Sequence, residues 1–144
     1  MLDTEGREVV RRYWDEFINK KDLDQASGIL ADDFVLYDPL GPTPVEGRQV
    51  FVEMLGELFR AFPDIHYTAE DEVSEGGKVW IRWTMQATHS GPFIGIAPTG
   101  KRVSMSGVDM LSLANGRIEA LRVEANLLGL AHQLGAVPNL NISC

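Results

Sequence analysis

The sequence predicts an α+β fold, with helices packed on one face of a largely antiparallel sheet. Three observations carry that expectation. Helical apolar spacing dominates the first part of the chain, and four long alternating segments follow it. Glycine-bearing turn pairs separate those segments, as they would in a meander packed on helices.

Residues 5–20, EGREVVRRYWDEFINK, set Val9, Val10, Tyr13, Trp14, Phe17 and Ile18 on one helical face, with Asp3 or Thr4 able to cap its start. LDQASGIL (23–30) reads as a shorter helix with Leu23, Ala26, Ile29 and Leu30 inward. DDFVLYDP (32–39) alternates like a strand stopped by Pro39, and LGPTPVEG (40–47) is a Pro/Gly loop. RQVFVEMLGELFRAFPD (48–64) repeats the helical spacing with Val50, Phe51, Met54, Leu55, Leu58 and Phe59, and Pro63 ends it. Strands are then expected in IHYTAEDEVSE, KVWIRWTMQATHS, KRVSMSGVDMLSL and RIEALRVEAN, with hairpin turns at Gly76-Gly77 and Asn115-Gly116. The connection at 91–100, GPFIGIAPTG, is longer, and LLGLAHQLG closes the pattern as a helix-like run. No repeat, low-complexity tract or linker interrupts this order, so a single domain over 1–144 is expected.

The chain has 144 residues, enough for a core without staples, with 44% hydrophobic and 24% charged residues, as in ordinary globular proteins. A net charge of −8 argues against a nucleic-acid partner, which needs a basic stripe. No run reaches the roughly 18 apolar residues of a membrane span. The start, MLDTEGREVV, lacks the basic-then-apolar order of a secretion signal. The single cysteine, Cys144, cannot form an internal disulfide or a Cys-rich metal site and fits a cytoplasmic location. His66, His89 and His132 have no metal-ligand spacing, so no metal is expected.

The strands raise the question of which face meets a ligand. On 78–90 the odd set is Val79, Ile81, Trp83, Met85, Ala87 and His89, and the even set is Trp80, Arg82, Thr84, Gln86 and Thr88. On 117–126 the even set is Ile118, Ala120, Arg122, Glu124 and Asn126, with Leu121, Val123 and Ala125 opposite. Alternation alone sends Leu121 and Val123 to the core and Arg122 and Glu124 to water. Both faces are only partly apolar, which suggests helices on one side and a second subunit on the other, a homodimer through the sheet face.

THSGPFIGIAPTGKRV (88–103), with AFPDIHYTAED (61–71), NGRI (115–118) and LLGLAHQLG (127–135), resembles the SnoaL-like polyketide cyclases. The likeness runs from about residue 5 to residue 138 in order and spacing. It implies the nuclear-transport-factor-like fold, a curved, largely antiparallel sheet wrapped as a cone around N-terminal helices, and a metal- and cofactor-free intramolecular aldol closure of an aromatic polyketide ester. Such chemistry needs an apolar pocket that folds a flat substrate and one acid/base group with a pKa near the working pH. The family's histidine of H-x-G matches His89, and its last-strand arginine matches Arg122. Its acid/base aspartate falls on Asn126, whose amide cannot carry a proton but can hydrogen-bond a carbonyl or phenol. The resemblance thus turns the even face of the last strand toward the cavity, against the alternation.

Glu124 is the leading substitute for the missing aspartate. It precedes Asn126 by two residues on the same face, roughly 6.5–7 Å along the strand. Arg122 beside it would lower its pKa, which suits a base, unless the two are merely an ion pair. His89, with an ordinary pKa of about 6.5, is the second candidate, the alternative being a hydrogen-bonded strand end. Asp109, odd in the apolar GVDML, needs a partner, and Arg82 is the expected one, catalytic or structural. Tyr37 and Asp38 end the first strand where a pocket rim would lie, although such an aspartate commonly caps a turn. Trp14, Phe17, Phe51, Met54, Leu58 and Phe59 read as core, with Trp14 and Phe51 placed to form an apolar wall against the ligand. Gln133 is expected to fasten the last helix.

Three readings compete for the ligand, an apolar polyketide-like small molecule. One is a cofactor-free cyclase using Glu124 or His89. Another is a non-catalytic binder in which Arg122 and Asn126 only hydrogen-bond. The third is a hydrolase similar to the epoxide hydrolases of this fold, whose Asp-Arg-Asp cluster only Arg82, Asp109 and Glu124 could imitate.

Overall fold

A computed structural model describes residues 3–137 of the chain; Cys144, and the ends of the expected 1–144 domain, lie outside the described residues. Helix α1 (Thr4–Arg12) is capped by Asp3, whose Oδ1 accepts from the Gly6 N–H at 2.7 Å. It widens into a π-type stretch, Tyr13–Ile18, so the apolar stripe continues with a wider turn than the regular spacing predicts. A 3₁₀ turn, Leu23–Gln25, leads into the single-turn α2 (Ala26–Ile29), and Leu30 already begins β1 (Leu30–Tyr37). The loop expected at 40–47 carries a two-residue edge strand, β2 (Val45–Glu46), antiparallel to β1. Helix α3 spans Arg48–Ala61.

The remaining strands follow the expected order: β3 (His66–Glu75), β4 (Lys78–Thr88), β5 (Arg102–Ala114) and β6 (Arg117–Ala125), with α4 (Leu127–Gln133) after them. Gly76, Gly77, Asn115 and Gly116 all have positive φ, as two-residue hairpin turns require. The sheet order is β2-β1-β6-β5-β4-β3, with β1 parallel to β6 and every other pair antiparallel. The sheet is curved and unclosed.

One face of this sheet takes the helices. Phe17 stacks on Phe51, and Phe51 on Phe34 of β1, at ring separations of 6.3 and 4.9 Å. Along β4 the odd residues from Val79 to Ala87 are buried, whereas Trp80, Arg82 and Gln86 on the other face are exposed. Strand β6 breaks the strict alternation once. Ser112 pairs with Ala120 but Leu113 with Ile118, so Glu119 is an extra residue in the ladder. Before this bulge an even residue, Ile118, is buried; after it an odd one, Leu121, is. Asn19 pins the end of the helical stretch to β3, its side chain bonding both the N–H and the C=O of Tyr67 at 2.8 and 2.9 Å.

No helix among the described residues is long and apolar enough to cross a membrane.

Candidate active site

Between the helices and the inner sheet face lies a cavity of about 380 Å³. Its helical wall holds Tyr13, Trp14, Phe51, Met54, Leu55 and Leu58, and its sheet wall holds Leu36, Tyr67, Trp83, Met105, Asp109, Leu121, Val123 and Ala125. Pro92, Phe93 and Ile94 of the long β4–β5 connection reach it from the side. That connection is fixed at its root. The N–H groups of Ser90 and Gly91 donate to the Ala61 carbonyl, and a Cβ on Gly91 would come within 2.6 Å of the Arg60 oxygen.

Asp109 is the buried charge-bearing group of this wall. The Trp83 indole Nε1–H donates to its Oδ1 at 2.9 Å. Burial drives the Asp109 carboxyl up to about 7, against the lowering effect of that hydrogen bond. Two phenols share the space. Burial pushes Tyr13 and Tyr67 upward, and the charge of Asp109 adds to the shift of both. They remain neutral O–H groups at neutral pH, and the Trp14 indole Nε1–H in the same wall is buried without a hydrogen-bond partner among the described residues. Tyr13, Trp14, Tyr67 and Trp83 form a continuous chain of ring contacts, at 5.5, 5.5 and 5.0 Å. The other titratable lining groups are half-buried Asp38 and exposed Glu57; no Lys, Arg or His lines the cavity among the described residues.

Of the residues singled out from the sequence, Trp14, Asp38, Phe51, Met54, Leu58 and Asp109 meet at this cavity. The partner expected for Asp109 is corrected. Arg82 lies on the exposed face of β4, because its even position points away, and its odd neighbour Trp83 supplies the hydrogen bond instead. The face expected for Arg122, Glu124 and Asn126 is corrected as well, since after the Glu119 bulge these even residues are all exposed. Arg122 lies over the ring of Tyr37, its pairing partner on β1, at 4.1 Å, so Tyr37 also faces away from the cavity. Glu124 makes no ion pair with Arg122 among the described residues. Asn126 caps α4, its Oδ1 accepting from the Gly129 N–H at 3.0 Å.

His89 is fully buried at the end of β4 but does not line the cavity. Its Nδ1 accepts from the Thr99 N–H at 3.2 Å and meets Thr99 Oγ1 at 3.0 Å, so the ring fastens the far end of the β4–β5 connection. Asp38 makes the turn cap at the cavity edge, accepting from the Leu40 N–H at 2.7 Å. Gln133 ties α4 to β5 through the N–H and C=O of Ser104, at 2.8 and 2.7 Å. Tyr13, Tyr67 and Trp83 carry polar atoms of the site that sequence reasoning does not single out. The odd, inward alternation on β4 is the available signal for Trp83.

No cluster of three or more His, Cys, Asp or Glu side chains suited to a metal occurs among the described residues.

Comparison with known proteins gives a consistent picture. The family model described as SnoaL-like polyketide cyclase matches residues 8–134. The chain is 26% identical over 136 residues to the aklanonic acid methyl ester cyclase of Streptomyces sp. (strain C5), covering 89% of this chain and 80% of that protein. It is 25% identical over 111 residues to the nogalonic acid methyl ester cyclase of Streptomyces nogalater, covering 72% and 82%. A solved structure from Jannaschia sp. CCS1, assigned to the SnoaL-like polyketide cyclases, matches with a TM-score of 0.86 at 25% identity over 94% of this chain and 95% of that one.

Proposed function

The chain belongs to the SnoaL-like polyketide cyclase family, and from that premise we propose that it closes a ring by intramolecular aldol addition, with Asp109 as the acid/base group. The observation that carries the proposal is a carboxyl group with a pKa of about 7 in the wall of an apolar cavity. At neutral pH such a group is present in both forms, one able to take a proton and the other to give it back.

The ionised form removes a proton from a carbon flanked by carbonyls, and the conjugated ketones of the substrate spread the resulting negative charge. The Tyr13 and Tyr67 hydroxyls and the unpartnered Trp14 indole N–H supply hydrogen bonds to a substrate oxygen on which charge develops. The carbanion carbon then bonds to a second carbonyl carbon, and protonated Asp109 returns the proton to the oxygen that becomes a hydroxyl. All atoms of the substrate remain in the product, so acid/base transfer alone suffices and no cofactor enters. The cavity volume lies in the usual range for small-molecule sites. Its titratable lining, three carboxyl groups and two phenols, favours an uncharged substrate over a carboxylate. That agrees with the methyl ester substrates named for the two Streptomyces relatives.

The binding-protein reading rests on an amide at position 126. A buried carboxyl on the neighbouring strand favours turnover instead. The test is conversion of a panel of aromatic polyketide methyl esters, followed by liquid chromatography and mass spectrometry. Wild type should convert at least one ester, Asp109→Asn should lose about 10²–10⁴-fold in kcat, and Glu124→Gln should stay within about twofold, because Glu124 lies outside the cavity. Tight binding of the panel without conversion would sink the cyclase reading. A homodimer through the outer sheet face belongs to the same proposal. Half-exposed Trp80 on that face supports it, and light scattering at the mass of one chain would refute it.

A further inference from the structure

Strand β5 has a glycine in the middle of its inner face. Gly107 pairs directly with Trp83 of β4, and Asp109 stands two residues farther along the same face. A glycine inside a strand weakens it, so its presence calls for a local reason. Backbone freedom is not that reason, since Gly107 is not among the positive-φ residues of the chain. Space is. A Cβ at position 107 would lie 2.5 Å from Cζ2 and 2.8 Å from Cη2 of Trp83, and 2.7 Å from the Glu124 carbonyl oxygen. The benzo ring of the indole therefore occupies the place where any other residue would carry its side chain. Tyr67 holds the indole from another side, edge-on at 5.0 Å. From this seat Nε1–H reaches Asp109 Oδ1 at 2.9 Å.

We propose that Gly107 is a positioning residue for the acid/base group: its missing side chain seats the Trp83 indole so that Nε1–H is aimed at Asp109. The catalytic meaning of this arrangement rests on the proposed role of Asp109, but the seating is a property of the free protein. Because the indole hydrogen bond favours the carboxylate, losing it lets burial act with less opposition. Gly107 thus acts on Asp109 only through the indole.

The experiment is a carbon-13 NMR titration of the Asp109 carboxyl without substrate, assigned with Asp109→Asn. It compares wild type, Gly107→Ala, Trp83→Phe and the double variant. Gly107→Ala and Trp83→Phe should each raise the midpoint by roughly one pH unit, and the double variant should match Trp83→Phe alone. A wild-type midpoint in Gly107→Ala would overturn the proposal, as would a Gly107→Ala shift that persists undiminished in the Trp83→Phe background.

Folding gives a second readout. A phenylalanine ring in place of the Trp83 indole ends short of the Cζ2 and Cη2 positions, so it makes room for a methyl group on residue 107. Trp83→Phe should therefore recover part of the stability lost in Gly107→Ala, read as a circular-dichroism melt, with the 2.7 Å approach to the Glu124 carbonyl oxygen accounting for the remainder. Failure of that rescue would mean that the Glu124 carbonyl, not the indole, demands the glycine. The two proposals fail separately: absent turnover with the expected titration pattern refutes the cyclase reading alone, and turnover without the pattern refutes the seating alone.

Discussion

Asp109 and Glu124 are two carboxylates one rung apart on neighbouring strands, and they live in different solvents. Across the β5–β6 ladder Asp109 pairs with Val123, and Val108 with Glu124, so the two acids leave the sheet on opposite faces. Glu124 is exposed beside Arg122. Asp109 is enclosed by aromatic rings, accepts an indole N–H and has its pKa raised to about 7. Residue type is nearly the same in the two cases. What separates an exposed charge from a carboxyl with a raised pKa here is the side of the sheet, and therefore how much of its hydration each acid keeps.

Stability against pH probes this contrast most strongly. The folded-state pKa of Asp109 lies above its ordinary 3.8, at about 7, so between these values the folded chain binds more protons than the unfolded one. The contribution of Asp109 is fully present below pH 3.8 and is lost as pH rises through 7. Roughly three units of difference amount to about 4 kcal/mol. Asp109→Asn should abolish that loss, so the variant should gain up to about 4 kcal/mol over wild type at pH 8 and little at pH 4. Urea unfolding at the two pH values checks this, and equal gains at both would remove the contrast.

Substitutions on the two faces of β6 sharpen it further. Leu121→Ala on the buried face should cost about 3 kcal/mol by opening a void. Asn126→Ala should cost about 1 kcal/mol through loss of the α4 cap, and Arg122→Ala on the exposed face about 0.5 kcal/mol or less. Denaturant midpoints at constant slope would read all three, and a reversed order would mean that the faces have been assigned the wrong way round.

Much of this architecture is legible in the amino-acid order because it is local. The 3.6-residue spacing of α1 and α3, the period of two along β4, and the Gly-Gly and Asn-Gly turns each follow from neighbours in sequence. Edge strand β2 is not legible: Val45 and Glu46 are strand only because β1 lies beside them. The face of β6 depends on a single extra residue, Glu119, which shifts phase only through its pairing with β5. Read with unbroken period two, Ile118 shares a face with Arg122, Glu124 and Asn126, and that face looks mixed enough to line a pocket. Asp109 is visible as a carboxylate in an apolar run, but choosing between Arg82 and Trp83 as its partner requires the inward face of β4. Tyr13 and Tyr67 resemble ordinary core aromatics in the sequence, since nothing in their spacing reveals that they share a cavity with Asp109.

The parallel pairing of β1 with β6 sets the order in which this molecule can be made. Leu36 and Leu121, partners across that pairing, both line the cavity, yet one belongs to the first strand and the other to the last. On the ribosome, α1, β1 and α3 emerge long before β6 exists, with their apolar faces awaiting a strand not yet synthesised. The cavity is therefore a late product of synthesis. A chain cut short before residue 117 carries Asp109 and both phenols but lacks the β6 wall of the cavity that encloses them.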